Sequence, residues 1–242
     1  MDWLFASLDP SRAHEVGGLV SWHARTMVLA WGVLSPLGIL IARFFKVMPG
    51  QDWPRDLDRK VWWHSHLAGQ IGAVCLTLVG MALILVHPGR GAGIHGTLGY
   101  ALILFAAVQV VSGVFRGTKG GPTALAPDGS PRGDHYDMTP WRLAFEWLHK
   151  SVGYSVLILS VVVILQGLWI ANAPRWMLLV LMIWWTLWAL VYLTLQQRGW
   201  AVDTYQAIWG PSPEHPGNRR KPQGWGMVRP RGGVRHRQDN GA

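Results

Sequence analysis

The chain has 242 residues, of which 50% are hydrophobic and 14% charged, with 16 Trp, one cysteine and a net charge of +9. A soluble domain carries about 25% charged residues, so an ordinary soluble globular domain is excluded and a polytopic membrane protein is indicated. Tryptophan gathers where an apolar ring can meet water at a membrane interface, and one cysteine, Cys75, excludes a disulfide within the chain.

The first stretch, "MDWLFASLDPSRAHEVGG", lacks a basic start and a long apolar centre. It reads as a short outer segment over residues 1–18 rather than a signal peptide, and the next helix is expected to act as its own insertion signal. Five stretches then match the roughly 20 apolar residues that cross a hydrocarbon core of about 30 Å. They run from Leu19 to Phe45, Trp62 to Leu85, His95 to Phe115, Phe145 to Ile170 and Trp176 to Leu195. Each must be a helix, because lipid offers the backbone no partners. Cys75, inside the second, reads as a small buried apolar residue.

The expected fold class is therefore an all-α integral membrane protein with five transmembrane helices, its membrane domain covering residues 19–196. Between the third and fourth spans, Gly117 to Pro140 is rich in Gly and Pro and reads as a mobile cytoplasmic loop. Residues 197–242 form a basic tail, expected to be flexible and to lie beside an anionic leaflet. The tail shows no folded nucleic-acid-binding motif, so membrane lipid is the expected partner and nucleic acid is not. The fifth span holds Trp184, Trp185 and Trp188 but no His. It reads as a packing or lipid-facing helix, with a contact to a second copy of the chain as a further reading.

Orientation follows from the basic residues. With the N-terminus outside, 18 of the 22 Lys and Arg fall on the inner side, and only Arg12, Arg25, Arg90 and Arg175 fall outside. The expected topology is N-terminus out and C-terminus in, in a cell membrane.

Ten histidines occur. His14, His87, His135, His215 and His236 lie in polar termini, loops or helix ends, where a solvated ring suffices. His23, His66, His95 and His149 each stand near the start of one of the first four spans, with His64 two residues before His66. Spans alternate in direction, so His23 and His95 pair near the outer face and His66 and His149 near the inner face. Ionisable residues inside a membrane are costly and point to function. Zinc sites usually take four protein ligands, and no Cys, Asp or Glu was found near the pairs. Haem iron needs only two axial ligands, and the lack of Cys-x-x-Cys-His makes any haem non-covalent. Two stretches support this: "HGTLGYALILFAAVQVVSG" from His95 and "HKSVGYSVLILSVVVILQG" from His149. Gly99 and Gly153 lie one turn below their histidines on the same helix face, where a side chain would stand against a macrocycle. Periodicity leaves His64 and His66 as alternatives.

These residues resemble the cytochrome b561 family of transmembrane di-haem electron carriers, from about Ser21 to Leu195. "HARTMVLAWGVLSPLGILIARFFK" is similar to the family's first core helix through His23, Met27, Pro36, Gly38 and Arg43. "WWHSHLAGQ" matches through Trp62, Trp63, His66 and Gln70, and so picks His66 over His64. The third span matches through His95, Gly99, Gln109 and Gly113, and the fourth through His149, Gly153 and Gly167. The resemblance implies a four-helix haem-binding core, here with one extra helix. It implies two haem b groups, the outer iron on His23 and His95 and the inner on His66 and His149. It also implies passage of single electrons, often from cytoplasmic ascorbate to an outer acceptor such as ferric iron. The further helix that animal and plant members commonly carry before the core has no counterpart in this sequence.

A span of about 20 residues separates the two ligand levels by about 18–20 Å. Arg43, Lys46, Arg59 and Lys60 read either as a site for an anionic donor or as ordinary inner-side cations. Arg25, Lys150 and Arg142 are candidate partners of haem propionates by proximity in sequence. Two other functions stay open: a quinol-oxidising cytochrome b subunit of a larger dehydrogenase, and a haem-free scaffold or transporter.

Overall fold

The computed structural model describes residues 2–86, 93–116 and 139–230. A short α1 (Asp2–Phe5) precedes five long helices: α2 (Gly18–Phe44), α3 (Val61–Leu85), α4 (Gly93–Val114), α5 (Pro140–Ile170) and α6 (Arg175–Gln197). All five are long and apolar enough to cross a membrane, and no strand forms among the described residues beyond two isolated bridges. The fold class expected from the sequence is borne out. His87, His135, His236 and most of the Gly117–Pro140 loop lie outside the described residues.

The fourth span starts five residues earlier than its apolar run. Thr139 caps it, its Oγ1 accepting from Arg142 N at 3.2 Å, and Pro140 takes the first helical position, where its missing N–H costs nothing.

The chain divides into two compact units. The first comprises residues 1–39, 66–110 and 152–193. Its core draws on all five spans: Ala30 and Trp31 of α2, Ala73 of α3, Leu102 of α4, Val156 and Ile164 of α5, and Leu181 of α6. Cys75, expected buried, is exposed; a cysteine is apolar enough to face lipid as readily as core. In this unit the N-terminal segment is clasped by Asn172, whose Nδ2 donates to the carbonyls of Asp9 (3.0 Å) and Arg12 (2.6 Å).

Within α2 the helix widens to π geometry over Val28–Leu34. The cause sits just beyond it. Pro36 has no N–H to give to a carbonyl one turn back. Trp184 of α6 supplies a substitute, its Nε1 donating to Gly32 O at 2.7 Å. Trp188 Nε1 donates to Pro36 O at 3.2 Å. The fifth span is thus a packing helix that satisfies backbone groups of the first.

The second unit comprises residues 40–65, 111–151 and 194–242. The tail, expected to be flexible from residue 197, is folded over its described length. Ala201 and Val202 are fully buried, and α7 (Thr204–Trp209) is buried throughout. The reason is a set of bonds that composition does not reveal. Arg229 pairs with buried Asp203 at 2.7 Å and donates to the carbonyls of Gly217, Asn218 and Arg220. Lys46 Nζ donates to the carbonyls of Arg43 and Val202, both at 3.2 Å.

Two predictions follow from these bonds. Trp184→Phe leaves the Gly32 carbonyl without its donor and should cost about 1–3 kcal/mol, read as a lower thermal midpoint in detergent. The loss should shrink in a Pro36→Ala background, which restores a backbone N–H. Lys46 is fully buried, and desolvation first, then repulsion from Lys150, lowers its pKa from 10.5 to about 7. Between those values the unfolded chain holds a proton that the folded chain has lost. Stability should therefore rise with pH above about 7 and lie at its lower level below that. Thermal midpoints measured across this range should show the slope, and Lys46→Met should flatten it.

Candidate functional site

The site begins with two helix starts in the first unit. His23 stands in the second turn of α2 and His95 in the first turn of α4. His23 Nδ1 bonds to Gly80 O of α3 at 2.8 Å. His95 Nδ1 bonds to Val163 O of α5 at 3.1 Å. A carbonyl only accepts, so each Nδ1 carries the proton and each Nε2 keeps a lone pair. The two rings lie 6.5 Å apart, centre to centre, with their planes at 81°.

That separation can be tested against a shared ion. An imidazole nitrogen sits about 2.0 Å from a metal it ligates, which places two opposed rings roughly 6 Å apart. The observed 6.5 Å fits. No group of three or more His, Cys, Asp or Glu converges among the described residues. The pair therefore offers two nitrogens, the number that haem iron takes and fewer than a structural zinc requires.

Close helix approach makes these bonds reachable. Gly80 lends its carbonyl to His23, and a Cβ there would come 2.7 Å from Thr26 Oγ1 and 2.9 Å from Met27 Cε. Gly167 lies one turn beyond Val163, and a Cβ there would come 3.2 Å from His95 Cε1. The sequence reading gave no role to Gly80, although Gly69, Gly72 and Gly80 share one face of α3. Such a run of small residues is the usual sign of tight packing between membrane helices.

His66 repeats the device, its Nδ1 bonding to Gly38 O of α2 at 3.1 Å. The contact is tight, since a Cβ at Gly69 would stand 3.2 Å from Leu34 O. A reciprocal pair supports it: Ser35 Oγ donates to Gln70 Oε1 at 3.1 Å, and Gln70 Nε2 to Ser35 O at 3.0 Å. His64 is exposed. His149 belongs to the second unit, where its ring lies 5.0 Å from that of Phe145. His66 belongs to the first unit and His149 to the second.

Of the two glycines expected to make room for a macrocycle, a Cβ at Gly99 would meet no heavy atom within 4 Å. At Gly153 it would come 3.3 Å from Gln109 Nε2.

One charged residue corrects the sequence reading. Glu146 is buried one turn before His149, so a carboxylate does lie near an inner histidine. It is held by Lys150 at 2.6 Å and Arg142 at 3.4 Å. The cations considered for an anionic donor are also engaged. Arg43 Nη2 donates to Gln196 Oε1 and to Trp225 O, both at 2.7 Å, and Lys46 is spent on two carbonyls. Arg59 pairs with Asp56 at 2.6 Å and Lys60 with Asp58 at 3.6 Å. Arg25 lies over the Trp22 ring at 5.0 Å.

No family model matches the chain, and no solved structure matches it. Curated relatives do. A cytochrome b561 and DOMON domain-containing protein of Arabidopsis thaliana is 30% identical over 149 residues, 60% of this chain and 30% of the relative. A putative ferric-chelate reductase 1 of Xenopus laevis is 28% identical over 164 residues, 64% of this chain and 24% of the relative. The ferric-chelate reductase 1 of Homo sapiens is 27% identical over 155 residues, 62% of this chain and 22% of the relative. The matched region thus spans less than a third of each of these relatives. They bear out the resemblance carried by the histidine-bearing spans: the chain is similar to curated members of the cytochrome b561 family and to ferric-chelate reductases.

Proposed function

We propose that the chain is a transmembrane electron relay holding two non-covalent b haems, one on His23 and His95 and one on His66 and His149. The observation that carries this reading is the His23–His95 pair, 6.5 Å apart with both Nδ1 atoms turned to carbonyls. Relatives named ferric-chelate reductases support the reaction class.

Bound at these pairs, haem would supply a one-electron iron couple. The protein does the rest. The Nε2 of each histidine would hold the iron, and at His23, His66 and His95 an Nδ1–H bond to a carbonyl fixes the ring and raises its basicity. Held by two protein nitrogens, the iron would offer no position to a further ligand, which favours electron transfer over oxygen chemistry. Gly99 and Gly153 keep side chains off the ring planes. The basic residues set the direction: N-terminus out, C-terminus in, with the donor on the cytoplasmic side. A ferric chelate on the outer side is the acceptor class we assign. Ascorbate is the donor to try first.

Purified protein assayed by pyridine haemochrome should hold about two b haems per chain. His23→Ala and His95→Ala should each lose one, and His66→Ala the other, while His64→Ala should keep both. Liposomes loaded with ascorbate should reduce an external ferric chelate, and His95→Ala should abolish that. Protein made with ample haem that binds none would overturn the proposal. So would transmembrane reduction that survives His95→Ala with one haem gone.

Gly167 offers a subtler check. Gly167→Ala pushes a methyl towards His95 and should shift the midpoint potential or lower the occupancy of one haem. Gly113→Ala should change neither, because a Cβ there meets nothing within 4 Å.

A further inference from the structure

The turn Gln223–Gly226 is built to hold a tryptophan out. Gly224 and Gly226 take positive φ of 110° and 63°, a conformation glycine adopts without strain. Three side chains carried by the long helices pin its carbonyls. Lys150 Nζ of α5 donates to Gln223 O at 3.0 Å. Arg43 Nη2 of α2 donates to Trp225 O at 2.7 Å, and Gln196 Nε2 of α6 to Gly226 O at 2.7 Å. Arg43 is the last residue but one of α2, and Gln196 the last but one of α6. The turn is thus fixed at the ends of α2 and α6.

On this fixed turn the Trp225 side chain is 75% exposed. Its ring lies 5.8 Å from the Arg43 guanidinium, so it stays beside the end of α2. The surrounding tail carries one sign of charge. From His215 to Pro230 there is no Asp or Glu. Arg219, Arg220 and Lys221 are exposed, while Arg229 is consumed by Asp203.

We propose that this turn is a membrane anchor for the folded tail, Trp225 seating in the interface of the adjacent leaflet and Arg219, Arg220 and Lys221 binding anionic lipid headgroups. An indole exposed at a span end has the chemistry of the interfacial aromatic belt. Clustered cations beside a span are drawn to anionic lipid. The bonds that hold the turn use its backbone carbonyls, so the indole is left for the lipid. The proposal does not depend on haem.

The test places an environment-sensitive fluorophore at position 225, using Trp225→Cys in a Cys75→Ser background, in nanodiscs of zwitterionic or anionic lipid. Emission should shift to the blue in anionic discs and be quenched by headgroup spin-labelled lipid rather than by aqueous iodide. A control fluorophore through Glu214→Cys, on the same tail, should remain open to iodide. The triple change Arg219→Glu, Arg220→Glu and Lys221→Glu should abolish the anionic blue shift. Iodide quenching at 225 equal to that at 214 in anionic discs would overturn the proposal. So would a shift that appears only with two chains per disc, which would assign the face to a second copy. Unmodified protein gives a second reading: trypsin should cut at Arg219–Lys221 several-fold more slowly in anionic than in zwitterionic discs, and equal rates would count against the anchor.

Discussion

A polar group inside a bilayer must find its partner within the protein, because lipid supplies none. His23, His66 and His95 meet this demand in the same way, each giving Nδ1–H to a backbone carbonyl of another helix. That choice has consequences beyond satisfying one nitrogen. It fixes the tautomer, so Nε2 is the nitrogen left for chemistry. It also requires a neighbouring backbone within bonding reach, which glycine permits. Gly80 combines both roles, accepting from His23 and lacking the Cβ that would strike Thr26 and Met27. Helix spacing and the orientation of the histidine rings therefore rest on the same bonds, and a change to one is a change to the other.

The same demand explains the fifth span and the tail. Pro36 breaks the bonding pattern of α2, and α6 answers with two indole N–H groups aimed at Gly32 and Pro36. In the second unit, positive residues expected from topology alone become structural. Arg43, Lys46 and Lys150 carry more donors than nearby carboxylates can absorb, and the tail supplies carbonyls of Val202, Gln223 and Trp225. A segment without a hydrophobic pattern is held in place by side-chain donors at and beyond the ends of the long helices.

The five helices and a histidine in each of the first four were legible because both leave local signals: long apolar runs, and costly residues at fixed places in them. The tail was not. Its bonds join residues far apart in sequence, Lys46 with Val202 and Arg43 with Trp225, and no window of Gly, Pro and Arg reveals a partner more than 150 positions away. Glu146 was in plain view inside the fourth span and was passed over. Its charge is matched by Arg142 and Lys150 one turn to either side, a pattern that looks like an ordinary solvated helix face until burial is known. The value of His66 over His64 came from the resemblance, and the Gly38 carbonyl gives it a physical basis.

The repeated His-x-x-x-Gly pattern turns out to be used unequally. In α5 both glycines face α4, Gly153 beside Gln109 and Gly167 beside the ring of His95. In α4 the equivalent Gly99 and Gly113 face no atom of the described residues within 4 Å of a Cβ. Packing accounts for glycine in one copy and not in the other, so helix contact alone does not explain why both helices keep the pattern. Under the proposed function the common requirement is a flat ring beside each histidine, which forbids a side chain one turn below the ligand whether or not a helix packs there. Position 99 is where the two explanations separate: space between helices does not call for glycine there, and a bound macrocycle does.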